Sequence, residues 1–320
     1  MAIIGDSQTI CLVERFVELW KDDSDYIEAY TSGSTGVPKM VKLSKSDMEL
    51  SARATCEFFG VESGSLVFLP LAVDYIAGKM MVVRAEVSGS DIMVEPPSNQ
   101  PLKTCPSAPI RLAAVVPSQV DGLLASKWVG LIENLIVGGA PLSEADEKKL
   151  IDSGINAYAT YGMTETCSHV AIRRLGDRYY RALPTVRFSI DERGCLVIHS
   201  EVMSFGRLVT NDVVSLLDSK NFEWHGRYDN VINSGGIKVL PENIERKLTD
   251  LLRDRTFYIT SRPSEKWGDE VVLVVEGDAP VVGLEEYASK FLLKAERPKA
   301  VINVGSVSRT STGKLLRILP

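Results

Sequence analysis

Short apolar runs alternate with amphipathic stretches through the first half of the chain, and this rhythm restricts the fold more than any other feature. Runs at 66–69, 92–94, 112–116, 135–137 and 155–159 have strand length, with helical stretches between several of them. The stretch 44–59 carries apolar positions at Met48, Leu50, Ala54 and Phe58 behind Ser or Asp caps. A second helix start reads at Ser143-Glu144-Ala145-Asp146, ahead of Lys148-Lys149-Leu150. Strands that alternate with helices imply a largely parallel sheet with both faces covered, hence an α/β fold. Pro96, Pro97, Pro101, Pro106 and Pro109 predict one long surface loop.

The texture changes near residue 180. Residues 186–190, the polar turn Asp191-Glu192-Arg193-Gly194 and residues 195–199 read as a hairpin, followed by strands at 207–210 and 213–217. That is a small antiparallel, barrel-like segment. A third texture begins near Asp229, with a helix from Pro241 or Glu242 to Leu252, strands at 257–260 and 271–275, and a helix around 284–293. It predicts a small α+β domain.

Composition removes several function classes. A net charge of −6 and a pI near 5.3 argue against a nucleic-acid surface, which needs a basic stripe. Five scattered cysteines without a Cys-x-x-Cys pair, and three isolated histidines, favour neither a disulfide framework nor a zinc site. No apolar run reaches the ~18 residues of a membrane span. Asp6 and Glu14 interrupt the N-terminal apolar residues, so no signal peptide is read there. The expectation is a cytoplasmic protein.

Tyr30-Thr31-Ser32-Gly33-Ser34-Thr35-Gly36-Val37-Pro38-Lys39 follows the strand-like run Tyr26, Ile27, Ala29, and 39–43 reads as the returning strand. Glycines let backbone N–H groups approach an anion, while the hydroxyls and Lys39 add donors and charge, which together make a polyphosphate cradle. The spacing is not that of a P-loop, because Pro38 and Met40 stand where a glycine and a hydroxyl belong.

Four further segments follow in order: Tyr161-Gly162-Met163-Thr164-Glu165; Thr210-Asn211-Asp212; Gly226-Arg227-Tyr228-Asp229 with Ser234-Gly235-Gly236-Ile237-Lys238; and Ser308-Arg309-Thr310-Ser311-Thr312-Gly313-Lys314. With the cradle, they resemble the signature of the adenylate-forming acyl-CoA synthetase superfamily, and the resemblance runs from Tyr30 to Lys314. It implies ATP, Mg²⁺ and CoA as co-reactants. It implies that Thr31, Ser32, Gly33, Ser34, Thr35, Gly36 and Lys39 hold the outer phosphates, and that Glu165 helps hold Mg²⁺, a hard cation that prefers oxygen donors. Thr164 then touches the α-phosphate. Gly138, Gly139 and Ala140, with Tyr161, Gly162 and Met163, line the adenine and acyl pocket, and Asp212 and Arg227 contact the ribose. Lys314 bridges the attacking carboxylate and the α-phosphate. Asp229 matches the family's hinge, so the resemblance divides the chain into a large domain, 1–228, and a small mobile domain, 229–320. Its swing withdraws Lys314 and brings the Gly235-Gly236 loop to the thiol path. The family's usual Thr-Gly-Asp is here Thr-Asn-Asp; asparagine also tolerates the left-handed region.

The acid is addressed by Leu69-Pro70-Leu71 and Tyr75-Ile76-Ala77-Gly78, followed by Arg84 in an apolar helix-like run. A buried arginine is expensive without an anionic partner. Arg84 either reaches solvent, pairs with a structural Asp or Glu, or meets a second carboxylate on the substrate. The segment is similar to that of o-succinylbenzoate–CoA ligases of menaquinone biosynthesis, with Tyr75 where they carry histidine and Ala77 where they carry serine. This implies an aromatic acid substrate. Only 29 residues precede Tyr30, fewer than in typical members, so a homodimer is expected to cover exposed apolar surface. Three alternatives stay open: another aryl- or acyl-CoA ligase, an adenylation domain that loads a carrier protein, and a nucleotide-binding regulator without chemistry.

Overall fold

The computed structural model describes residues 1–31, 39–252, 255–309 and 315–320. Contacts divide the chain into two compact units: 1–188 with 198–208 and 218–222, and 189–197 with 209–217 and 223–320.

In the first unit the elements run β1 (Ile3–Gly5), α1 (Ser7–Lys21), β2 (Tyr26–Thr31), β3 (Lys39–Ser44), α2 (Lys45–Phe59), β4 (Leu66–Leu69), α3 (Ile76–Ser88), β5 (Asp91–Val94) and β6 (Ile110–Val115). Then come α4 (Val120–Leu124), β7 (Leu135–Val137), α5 (Glu144–Asp152), β8 (Ala157–Gly162), β9 (His169–Arg174) and β10 (Tyr180–Ala182). The strand order is β1-β5-β4-β6-β7-β8-β9-β10. Pairing is parallel as far as β8 and antiparallel beyond it.

The buried strands send alternate side chains to opposite faces. Val67, Leu69, Ile92, Val94, Leu112 and Ala114 pack with Val13 and Phe16 of α1, Met48 and Ala52 of α2, and Met80 and Met81 of α3. Leu66, Phe68, Met93, Ala113 and Val115 pack on the other side with Leu123 of α4 and Leu150 of α5. The expected α/β core with two covered faces is present. The expected caps are present too. Ser44 Oγ caps α2, and Ser143 Oγ accepts from Asp146 N at 3.0 Å. The proline-rich segment is held from inside, since Glu95 accepts from the backbone N–H groups of Leu102, Lys103 and Thr104 at 2.7, 3.2 and 2.9 Å. Leu102 is buried there with φ +63°, so this loop is less superficial than its prolines imply.

β11 (Arg187–Ile190), β12 (Cys195–His199), β13 (Arg207–Leu216) and β14 (Asn221–Arg227) form the antiparallel segment in the order β14-β13-β12-β11. The two short strands expected at 207–210 and 213–217 are one ten-residue strand, so Asp212 sits within a strand rather than at its end. The second unit continues with β15 (Ile232–Ser234), β16 (Ile237–Val239), α6 (Pro241–Leu248), β17 (Phe257–Ser264), β18 (Gly268–Glu276), α7 (Leu284–Phe291) and β19 (Ala300–Val304). Strand β18 alternates in the same way. Val271, Leu273 and Val275 face Ile244 and Leu248 of α6 and Ala288 of α7, while Val272 and Val274 pack with Ile302 of β19 and Leu315.

Candidate active site

Three backbone features converge at the carboxyl ends of the parallel strands, where open α/β sheets bind ligands. The first is the β2–β3 hairpin, a separate two-stranded ladder whose last rung pairs Thr31 with Lys39. Ser32, Gly33, Ser34, Thr35 and Gly36 lie outside the described residues, as do the side chains of Thr31 and Lys39. Both hairpin strands pack beside the Thr164–Thr166 turn.

The second feature follows β7. A Cβ on Gly138 would stand 2.3 Å from Thr160 Oγ1, and Gly139 has φ +85°. Only glycine fits this pair without strain, and Ala140 continues the chain from it.

The third follows β8. A Cβ on Gly162 would come within 2.3 Å of the Ser168 carbonyl oxygen. Met163 is extended, Thr164–Thr166 form one 3₁₀ turn, and Cys167 closes it at φ +63°. The buried Thr166 hydroxyl accepts from Met163 N at 3.0 Å and lies 2.7 Å from the Ser168 carbonyl. Burial pushes the Cys167 thiol up to about 12, which makes it a packing group rather than a nucleophile. The turn leaves Thr164 half-buried and Glu165 exposed, while Tyr161 packs edge-on against Phe222 at 5.0 Å.

Beneath this turn lies a buried polar cluster. Arg84 of α3 is only 2% exposed. Its Nη2 donates to Ser168 Oγ at 2.7 Å and its Nη1 to Met81 Sδ at 3.4 Å, while Nε has no partner among the described residues. Desolvation holds the guanidinium down at about 10. His169 completes the cluster, with Nε2 3.2 Å from Thr55 Oγ1 and Nδ1 3.4 Å from Ser168 Oγ. Its burial, and then the charge of Arg84, keep its pKa well below the usual histidine value. Neither alternative that keeps Arg84 ordinary is met. It does not reach solvent, and no Asp or Glu forms an ion pair with it among the described residues. Tyr75 stands at the N-terminal end of α3 and is 47% exposed. Reading the sequence passed over Thr55, Ser168 and His169. Their signal was faint: a Ser-His pair two residues past Thr166 at the start of an apolar strand.

The second unit holds a distinct polar group. The buried Asp212 accepts from Trp224 Nε1 at 3.1 Å and lies 3.9 Å from Arg227 Nη1. Arg227 Nη2 donates to Asp229 at 2.7 Å, and Asn211 Nδ2 donates to the same carboxylate at 3.0 Å. Asp212 and Arg227 are therefore brought together, and Asp229 shares their network. Gly235 and Gly236 make the β15–β16 turn at φ +61° and +80°. Lys314 lies outside the described residues.

The AMP-binding enzyme family matches residues 13–218, well over half of the chain. The chain belongs to the AMP-binding enzyme family. A 2-succinylbenzoate–CoA ligase of Lactococcus lactis is 24% identical over 90% of this chain and 68% of its own, so the chain spans about two thirds of that relative's length. An acyl-CoA synthetase (AMP-forming)/AMP-acid ligase II-like protein of Dyadobacter fermentans is similar in structure, with TM-score 0.66, 31% identity, and 97% of this chain and 92% of that chain covered. The o-succinylbenzoate–CoA synthetase of Bacillus subtilis, solved with the acyl-adenylate OSB-AMP, shares the fold at TM-score 0.79 and 20% identity over 91% of this chain and 67% of that one. The expected α/β architecture is that of this family.

The residues present fit its co-reactants. Glycines that exclude side chains at 138 and 162 open backbone beside the turn carrying Thr164 and Glu165. No group of three or more metal-binding side chains exists among the described residues. An exposed lone carboxylate at Glu165 suits Mg²⁺, which takes one or two protein oxygens and completes its shell with phosphate and water.

Proposed function

We propose that this protein is an ATP-dependent acid–thiol ligase that adenylates an aromatic acid bearing a second carboxylate, o-succinylbenzoate fitting best, and passes the acyl group to CoA. The single observation behind this choice of acid is Arg84, a buried guanidinium with an unfilled donor and no carboxylate partner among the described residues. A cation in such a place is costly unless an anion arrives to meet it. The naming of the Lactococcus lactis relative favours the same acid.

In this reading the acid lies between Tyr75 and the Gly138-Gly139 and Met163 backbone, with its far carboxylate on Arg84. Ser168 orients the guanidinium, and the neutral His169 adds no second positive charge beside it. The reacting carboxylate attacks the α-phosphorus near Thr164, and pyrophosphate leaves. Glu165 would hold Mg²⁺, which would supply charge neutralisation for the phosphates. Residues 31–36 and Lys39 hold the outer phosphates, Asp212 and Arg227 hold the ribose, and Lys314 neutralises the two approaching anions. Rotation about Asp229 then withdraws Lys314, Gly235 and Gly236 line the thiol path, and sulfur attacks the mixed anhydride with AMP leaving.

The test is a screen of pyrophosphate release over aromatic and aliphatic acids, with and without CoA. Release driven by o-succinylbenzoate and absent for monocarboxylic aryl acids supports the reading. Preference for a monocarboxylic or fatty acid overturns the assigned acid, and no acid-dependent release overturns the ligase.

A further inference from the structure

The first turn of α6 gathers buried charge that the scheme above does not use. Glu242 is 9% exposed. Its Oε1 accepts from Asn230 Nδ2 at 2.5 Å and lies 3.9 Å from Arg317 Nη2. Its Oε2 has no partner among the described residues and occupies the space a Cβ on Gly226 would need, 2.4 Å away. Glu245, on the same helix face, accepts from Arg317 Nη2 at 2.5 Å and from Ile259 N at 2.7 Å. Arg317 Nε is also buried and unpartnered among the described residues.

These contacts reach two separate stretches of chain. Gly226 and Asn230 stand on either side of Asp229. Arg317 belongs to the terminal segment, which is fastened to β17 through Thr260 Oγ1 to Arg317 O at 3.3 Å and Tyr258 Oη to Ile318 O at 2.7 Å. Arg309 and Leu315 pair as an isolated bridge, and Arg317 lies three residues after Lys314.

We infer that Glu242 is a positioning residue that joins the Asp229 segment to the terminal segment through Arg317, so that the placement of one constrains the other. Three observations carry this. One carboxylate accepts from Asn230 on one segment and stands 3.9 Å from the Arg317 guanidinium on the other. The absence of a side chain at 226 is what admits it. Among the described residues, an acceptor and a donor of the cluster are left without partners, so its hydrogen bonding is open to rearrangement, unlike a saturated ion pair. The consequence for turnover rests on the role proposed for Lys314; the linkage itself does not.

The experiment therefore has two arms on the full chain. In the first, hydrogen–deuterium exchange compares the parent with Glu242→Gln, which keeps shape and removes charge, and with Arg317→Met. Both substitutions are expected to raise uptake in 226–231 and in 315–318 together, leaving 284–291 unchanged. A response confined to one segment overturns the linkage. In the second arm, Glu242→Gln is expected to slow acid-dependent ATP–pyrophosphate exchange about tenfold, the scale of one charge-assisted hydrogen bond. Thioester formation from supplied acyl-adenylate should stay within about twofold. Equal loss in both half-reactions makes Glu242 merely structural and overturns the positioning role. A parent protein without exchange activity defeats the ligase reading, and the first arm still decides the linkage.

Discussion

Arg84 Nη2 and Ser168 Oγ meet across 2.7 Å, joining α3 to the second residue past the Thr164–Thr166 turn. This bond ties the buried cation to the segment carrying Thr164 and Glu165; under the proposed function it would hold the two ends of the acid at a fixed separation. Substituting Arg84 with alanine should lower kcat/KM for the dicarboxylic acid by about 10–100-fold, the size of one hydrogen bond to a charged group. Monocarboxylic acids should change far less. Equal loss on both classes, measured by pyrophosphate release, would show that Arg84 is structural.

His169 gives the fold a pH dependence with a defined sign. Burial and the neighbouring guanidinium lower its pKa in the folded state. Above the unfolded value of about 6.5, imidazole is neutral in both states and pH has no leverage through it. Below that value the unfolded chain takes up a proton that the folded one refuses, and stability falls by up to ~1.4 kcal/mol per pH unit. Replacing His169 with glutamine should flatten the decline in Tm between about pH 6.5 and 5. An unchanged slope would place the titration elsewhere.

Gly138 tests the steric argument for the open backbone after β7. Alanine there meets Thr160 Oγ1 at 2.3 Å, so the G138A protein should lose about 1–3 kcal/mol of stability together with ATP-dependent activity. Adding Thr160→Ala removes the obstructing hydroxyl and should recover most of the loss in Tm. Failure to recover would mean that position 138 is limited by its backbone conformation instead.

Under the proposed function, Lys314 and Asp229 separate the two half-reactions. The Lys314→Ala protein should lose adenylate formation yet still form thioester from supplied acyl-adenylate. Asp229→Pro should do the reverse, because proline fixes φ where rotation is needed. Parallel loss of both steps in either variant, followed by single-turnover assays, would contradict the scheme.

The architecture was legible where a local rule decides it. The continuous apolar runs at 66–69 and 92–94, buried on both faces, the Ser44 and Ser143 caps, and the return of the chain at Lys39 all follow from neighbours in sequence. Strand β13 was misjudged because Asn211-Asp212 carries turn chemistry; the ladder and the Trp224 indole on Asp212 keep it extended. The Arg84 cluster was half visible. The cost of a buried arginine can be read from its apolar surroundings, whereas Thr55, Ser168 and His169 arrive from positions 29 to 85 residues away. The grip of Glu95 on the proline-rich segment is likewise invisible in sequence, since nothing marks that carboxylate as an acceptor of three amides.

The β2–β3 ladder shares no rung with the larger sheet and ends with Thr31 opposite Lys39. Its register is therefore fixed by its own six pairs, from Tyr26 with Ser44 to Thr31 with Lys39, so a shift in this hairpin would leave the alignment of every core strand unchanged.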